Sequence, residues 1–242
     1  SLAQKQPWVA VTSNQLILVL NMSTPLKPVL VCTIDLSPTL GTAFGHQGQI
    51  LYVATGNQGL QVVDLSRPTA PRIQKSTLQG QVSCIFLNPQ QTLAYLCWGS
   101  PVTLEGKYVP LNLDSNMSLA IAQPTESMDL QILGYVPAAG LQTIALANEA
   151  PLALLASGLW GVAVANISDA AHPIVMTRYN TSTAVRAAVF SPNNRYVYVA
   201  DAQGLKVLEV VQLNPQQIQL RPLQSIPMSG GIEGLSLNKN GS

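Results

Sequence analysis

Charged residues are scarce in this sequence. They make up 10% of the 242 residues, whereas about a quarter is usual for globular domains. The formal net charge is +1, and lysine and arginine never form a run. This charge content provides no basic surface for nucleic acid and no attraction to an anionic membrane, so neither partner is expected. Apolar residues reach 47%, which disfavours an intrinsically disordered chain because there is ample apolar surface to bury.

The side chains that most often hold metals or act as nucleophiles are also few. His46 and His172 are the two histidines. Both fall at predicted turns on the face opposite the loops that we expect to bind a ligand. Cys32, Cys84 and Cys97 lack the spacing of metal ligands. We therefore expect no metal, no cofactor and no catalytic residue of these types. Cys84 and Cys97 flank a predicted hairpin turn, but we predict that both stay reduced as small core residues, because a bond across the hairpin would be strained.

One uncharged stretch, residues 150–166, has two interpretations. Its length and apolar content are compatible with a membrane helix, and equally with two strands joined by a turn. We favour strands and no membrane insertion, because the stretch aligns with three others in the sequence. The first residues, SLAQKQPW, lack a basic start and an apolar core, so no signal peptide is predicted there.

A repeat of about 43 residues is the strongest signal in the sequence. Copies begin at Trp8, Leu51, Leu152 and Tyr196, and a weaker copy with a longer loop begins at Leu93. Each copy has two apolar runs separated by a short polar or glycine turn, and shorter apolar runs lie between copies. Apolar runs bounded by turn residues are typical of β-strands. Four such strands per repeat predict the blades of a β-propeller.

The turn after the second apolar run follows a common pattern. Residues 59–71 read GLQVVDLSRPTAP. Turn residues follow in a similar order from Asn21 to Pro28 and from Asn166 to Pro173. Asp and Asn accept backbone hydrogen bonds in such turns and Pro stiffens the return, so we interpret the Asp or Asn of each turn as a turn former.

This pattern resembles the LVIVD repeat family, and residues 191–201, SPNNRYVYVAD, are similar to the related YVTN propellers. The resemblance implies a propeller fold. Because such repeats occur mostly in microbial surface and exported proteins, it also implies an extracellular, cell-surface or periplasmic location. It implies no common activity, since propellers support many unrelated functions.

We predict a single all-β domain over residues 1–242, a β-propeller of about five four-stranded blades. The segment Ile232–Leu237 is predicted to close the ring by pairing with Trp8–Thr12, because closed rings protect sheet edges. The alternative is that the chain is part of a six- or seven-bladed propeller.

A candidate binding face follows from aligning the blades. The turns between second and third strands supply Asn57, Trp98, Trp160 and Asp201, and first strands near the channel mouth supply Arg186 and Glu233. These loops vary between blades, and variable loops on a repeated scaffold are common sites of binding. Trp160 replaces a polar residue of its sister blades, so it either contacts a ligand or caps the blade interface. Arg186 and Glu233 are predicted to form a structural ion pair.

The predicted function is a non-catalytic binding or scaffolding module for a protein or carbohydrate ligand. The chain is expected to be monomeric, either alone or as a domain of a longer protein. The alternative is a glycosidase- or lyase-like enzyme with its site at the channel mouth. Such enzymes need paired carboxylates, and the candidate face offers only Glu233 and the more distant Asp201.

Overall fold

The computed structural model describes residues 7–13, 15–99, 102–104, 107–109, 117–214, 217–232 and 234–237. These residues form twenty-one β-strands, and their helical structure is limited to one short 3₁₀ turn, His46–Gly48. Residues 150–166 form two strands, as predicted. Within the described part of the chain, no helix has the length and apolar character needed to cross a membrane.

The first two sheets are antiparallel and follow the order of the chain. The first contains β1 (Trp8–Thr12), β2 (Leu16–Asn21) and β3 (Val29–Asp35). The second contains β4 (Gly41–Gly45), β5 (Ile50–Ala54), β6 (Leu60–Asp64) and β7 (Arg72–Lys75).

The third sheet contains the long insertion that the sequence analysis noted. Its strands are β8 (Gln81–Leu87), β9 (Ala94–Gly99), β12 (Met117–Pro124) and β13 (Leu130–Pro137), in the order β13-β12-β9-β8. Between β9 and β12, a separate hairpin is formed by β10 (Val102–Leu104) and β11 (Lys107–Val109).

The last two sheets each have four strands in chain order. One contains β14 (Thr143–Leu146), β15 (Leu152–Ala156), β16 (Val162–Asn166) and β17 (Ile174–Tyr179). The other contains β18 (Val185–Phe190), β19 (Tyr196–Asp201), β20 (Gly204–Asn214) and β21 (Gln217–Pro227). The prediction of four-stranded all-β blades is confirmed for four of the five sheets.

The described residues belong to two compact units, one within Ser1–Leu111 and Ile121–Leu133, the other within Asn112–Ala120 and Gly134–Ser242. In each unit, side chains of adjacent sheets share a core. That of the first unit includes Ile17, Val19, Leu51, Val53 and Val63; that of the second includes Leu154, Val164, Val185, Val197 and Leu208. In the second sheet, the second strand β5 is fully buried and the fourth strand β7 is exposed. The prediction of one domain stays a prediction.

The repeated turns have the geometry that the sequence predicts. The backbone N–H of the residue two positions on donates to the side-chain Oδ1 of Asn21, Asp64 and Asn166, at 2.8, 2.8 and 2.9 Å. These three residues are therefore turn formers, and the same local hydrogen bond recurs in three blades.

The segment predicted to close the ring is not a strand. Ile232 and Gly234–Leu237 have no strand assignment, so the first sheet has three strands among the described residues. Ile232 nevertheless donates its N–H to the carbonyl of Asp201, a link like those that Val82 and Val185 make to Gly56 and Gly158. The segment thus begins in the register of a first strand, but Gly234–Leu237 do not continue as one, and Gly234 disfavours a strand.

Cys84 and Cys97 form a disulfide, so the prediction that they stay reduced was wrong. They lie directly opposite each other on β8 and β9, with Cα atoms 4.9 Å apart. This separation is within the range that a disulfide spans. A bulge between Val82 and Cys84 sets the register that aligns the two sulfurs, and the sequence did not reveal it.

The disulfide predicts a thiol count. The protein unfolded without reductant should show one reactive thiol per chain, that of Cys32, and three after reduction. Titration with a thiol reagent measures both values. Three thiols without reductant would show that the bond does not form.

Asp129 connects two sheets of the first unit. Its side chain is 8% exposed and accepts hydrogen bonds from the hydroxyl of Ser76, from the N–H and hydroxyl of Thr77, each at 2.7 Å, and from the N–H of Leu130 at 2.8 Å. Burial acts to raise the pKa of Asp129, but these hydrogen bonds outweigh it and hold the pKa below the usual 3.8. The carboxylate therefore holds the end of β7 against the start of β13.

Asp129→Asn should lower the free energy of unfolding by about 2 kcal/mol at neutral pH, because an amide nitrogen replaces an acceptor of buried hydrogen bonds. Since the folded-state pKa is lowered, the contribution is complete above the ordinary value of 3.8 and is lost as the pH falls through the folded-state pKa. Urea unfolding at neutral pH and near about pH 3 measures the difference. The exposed Asp35 provides the control Asp35→Asn, and an equal loss in the control would contradict the prediction.

Candidate functional site

In the first unit, a pocket lies beside the candidate residue Asn57. Its volume is about 250 Å³, and it is lined by the turn Asn57–Gly59 and by Lys75, Leu78, Gln79 and Gly80. Gly59 has a φ of +85°, and a Cβ there would lie 3.2 Å from the carbonyl oxygen of Gly80. Glycine therefore allows the turn to approach the next connection closely and so shapes the pocket.

Amide side chains dominate this pocket. Gln58 donates to the carbonyl of Ser37 and Gln79 to that of Thr77, both at 3.3 Å. The exposed side chains of Asn57 and Lys75 make no hydrogen bond or ion pair within the described part of the chain. The pocket therefore presents amide donors and acceptors together with one cationic group.

Trp98 is hydrogen bonded to a residue that lines this pocket. The side chain is 8% exposed, and its indole N–H donates to the carbonyl of Gln79 at 2.8 Å. Trp98 thus fixes the backbone of a lining residue, and little of its ring is available to a ligand. The sequence identified the position, but the structure gives it a positioning role.

In the second unit, Trp160 is an exposed aromatic residue. Trp160 and its neighbour Leu159 are 57% and 78% exposed. A Cβ on Gly140 would lie 2.7 Å from Cδ1 of Trp160, so one part of the ring covers that glycine while the rest faces solvent. Gly158 belongs to the same turn as Trp160, and the amide of the exposed Gln142, which precedes β14, lies beside Gly158. This turn combines an aromatic surface with a polar group.

Asp201 belongs to the candidate set but is fully buried. Its carboxylate accepts a 2.6 Å bond from Lys206 and backbone bonds from Gln203 and Gly204. Burial acts to raise the pKa of Asp201, but the bonds from Lys206 and Gln203 dominate and lower it. The residue therefore holds its own turn together as an ionised, paired group.

Arg186 is exposed on β18 at a bulge between Val185 and Ala187. Ser83, the aligned residue of β8, occupies the same kind of bulge. Bulges redirect side chains. Two first strands therefore have a bulge at the aligned position, which holds Arg186 in β18 and Ser83 in β8. Glu233, the predicted partner of Arg186, lies outside the described residues.

Sequence reasoning missed Lys75, Leu78 and Gln79 as pocket residues. They lie at the end of β7 and in the connection to β8. In a propeller, the connection from a fourth strand to the next blade lies on the same face as the second-to-third-strand turns. The residues of these connections differ between blades, so the alignment of blades did not reveal Lys75, Leu78 and Gln79. No group of three or more metal-ligating side chains occurs in the part of the chain that the structure describes.

Comparison with solved structures defines the class. Hydrazine synthase from Kuenenia stuttgartiensis matches with a TM-score of 0.62 and 13% identity, over 97% of this chain and 68% of the other. A proposed 6-phosphogluconolactonase from Bacteroides fragilis matches at 0.66 and 12%, over 94% and 69%. Sqt1 from Chaetomium thermophilum matches at 0.68 and 14%, over 97% and 64%. With the observed sheets, these similarities show that the fold is a β-propeller.

The family model described as the LVIVD repeat matches residues 47–78. The chain therefore carries an LVIVD repeat in its second sheet, which confirms the resemblance seen in the sequence. No curated protein sequence matches the chain closely enough to count as a relative. Since 1231 solved chains match this chain in structure, the fold alone does not identify a function.

The geometry of Asp201 predicts a structural effect rather than a binding effect. Asp201→Ala should lower the free energy of unfolding by about 3 kcal/mol, because Lys206, whose side chain is 12% exposed, is left charged and unpaired. Adding Lys206→Met should recover part of the loss. Urea unfolding measures both.

Asp169→Ala is the matched control, because Asp169 pairs with His172 on the surface. It should leave the unfolding midpoint nearly unchanged. A stable Asp201→Ala protein would show that the buried pair is not needed by the fold.

Proposed function

We propose that the chain is a non-catalytic binding module of an exported or cell-surface protein, with a protein or carbohydrate ligand. The observation that carries the proposal is the amide-lined pocket beside Asn57. The pocket lies at a second-to-third-strand turn and the adjacent connection. The sequence predicts that such turns belong to the candidate binding face.

The chemistry of the pocket favours a carbohydrate. Asn57, Gln58 and Gln79 present groups that both donate and accept hydrogen bonds, as a sugar hydroxyl does. In the second unit, the exposed ring of Trp160 lies in a turn whose Gly158 is beside the amide of Gln142. An aromatic surface beside polar groups suits the mixed apolar and polar faces of a sugar ring.

The alternative is a glycosidase- or lyase-like enzyme. The described lining of the Asn57 pocket includes no carboxylate, imidazole or thiol, and the carboxylate of Asp201 is occupied by Lys206. A carboxylate pair for glycoside hydrolysis is therefore not assembled by these groups. This argument supports binding over catalysis.

The disulfide supports the proposed location. Disulfides persist in secreted, cell-surface and periplasmic proteins, because reducing systems keep cytosolic thiols reduced. The bond between Cys84 and Cys97 is therefore the expected outcome for an exported chain.

A panel of neutral disaccharides tests the proposal. NMR titration should perturb the side-chain amide of Asn57 or the indole of Trp160, and Trp160→Ala should weaken disaccharide binding at that turn by roughly 1–3 kcal/mol if Trp160 is a hot spot. Ile174→Ala removes an equally exposed apolar side chain, 63% exposed on β17, and should not change binding.

Three results separate the possibilities. If no disaccharide perturbs either group, the carbohydrate ligand is wrong. Unchanged binding with a lowered melting temperature in Trp160→Ala would make Trp160 a packing residue. Cleavage of a bound disaccharide that disappears in Glu233→Gln would show that the chain is an enzyme.

A further inference from the structure

A second cavity lies at the LVIVD turn between β6 and β7. Its volume is about 240 Å³, and it is lined by Asp64, Ser66, Arg67, Ala70 and Arg72. Ligand sites of drug size are usually larger, about 300–1,000 Å³, so this cavity suits one small polar group or sugar unit. In a chain with twelve Lys and Arg residues, two arginines at one cavity are notable.

The turn itself does not require these arginines. Position for position, Arg67 corresponds to Thr24 and Asp169 in the sister turns. The cross-strand pair Asp64–Arg72 corresponds to Asn21–Val29 and Asn166–Ile174, in the same register. All three turns keep the same hydrogen bond to Oδ1. The backbone therefore forms without the two guanidinium groups.

The charges of the cavity do not form a closed pair. Arg67 and Arg72 are exposed, and neither guanidinium makes an ion pair or side-chain hydrogen bond within the described part of the chain. Hydrogen bonds from Ser66, together with the nearby Arg72 and Arg67, lower the pKa of Asp64, so its carboxylate is ionised at neutral pH. Two positive charges and one negative charge leave the cavity with a net charge of +1.

We propose that this cavity binds an acidic sugar that carries a single negative charge, such as a uronic acid. A guanidinium group matches a carboxylate with two parallel hydrogen bonds. The oxygens of Asp64 and Ser66 supply partners for sugar hydroxyls. A phosphate monoester carries a charge of about −1.5 to −2 at neutral pH, which exceeds the charge of the cavity and leaves an uncompensated negative charge beside Asp64. The site is separate from the Asn57 pocket, and its test is independent of the proposed function.

Calorimetric titration of the intact chain with glucuronate, glucose, acetate and glucose 6-phosphate tests the proposal. Glucuronate should bind, glucose and acetate more weakly by about tenfold or more, because each lacks one of the two sets of hydrogen bonds. Glucose 6-phosphate should bind more weakly than glucuronate. Arg67→Thr and Arg72→Ile, which copy residues of the sister turns, should each weaken glucuronate binding by about tenfold.

Arg195→Thr is the control, because it removes the same charge from an exposed position elsewhere. It should leave glucuronate binding unchanged. The proposal is overturned if glucuronate does not bind, or if the two turn variants bind it as the unsubstituted chain does. Acetate binding as tightly as glucuronate would overturn the sugar ligand, and tighter binding of glucose 6-phosphate would overturn the charge argument.

Discussion

The structure depends on the burial of apolar sheet faces against neighbouring sheets. In both units the shared core draws on strands of two adjacent sheets, because a lone four-stranded sheet cannot remove its faces from water. Burial is complete on β5 and absent on β7, the second and fourth strands of one sheet. Burial of apolar area is the main favourable term in folding, so it fixes the inner strands and leaves variation to the outer strands and turns.

A few local hydrogen bonds then fix the turns and leave other positions free to vary. The turns after β2, β6 and β16 share one hydrogen bond to an Asn or Asp side chain and one register, but Thr24, Arg67 and Asp169 occupy the same position in them. Likewise, the links from Gly56 to Val82 and from Gly158 to Val185 have the same form, although one neighbouring turn carries Gln58 and the other Trp160. A scaffold whose turns depend on the main chain and on one Asn or Asp permits different chemistry at the other turn positions of each blade.

The sequence predicted the features that follow from the periodicity of apolar residues. It missed the features that depend on the register between paired strands. Strand content, blade pattern and the roles of Asn21, Asp64 and Asn166 followed from apolar runs and turn chemistry. The disulfide required the bulge before Cys84, which no sequence pattern indicates.

The burial of Trp98 and Asp201 also required three-dimensional contacts. The sequence predicted both in turns, where exposure is the usual outcome, but they lie at the ends of β9 and β19. The alignment placed all six candidate residues by strand position alone. Their exposure depends on side-chain partners such as Lys206, which an alignment of blades does not compare. Location and partners stay predictions.

The scarcity of charge makes the position of each ionised group informative. Where a carboxylate is buried, its partners are supplied locally: four donors surround Asp129, and Lys206 with two backbone groups surrounds Asp201. These charges are explained by the fold, because a buried unpaired charge is strongly destabilising. Arg67 and Arg72 have no such explanation, since the sister turns form with Thr24 and Val29 or with Asp169 and Ile174. Since neither the core nor the turn requires these two guanidinium groups, they are available to contact a ligand such as the acidic sugar proposed for this cavity.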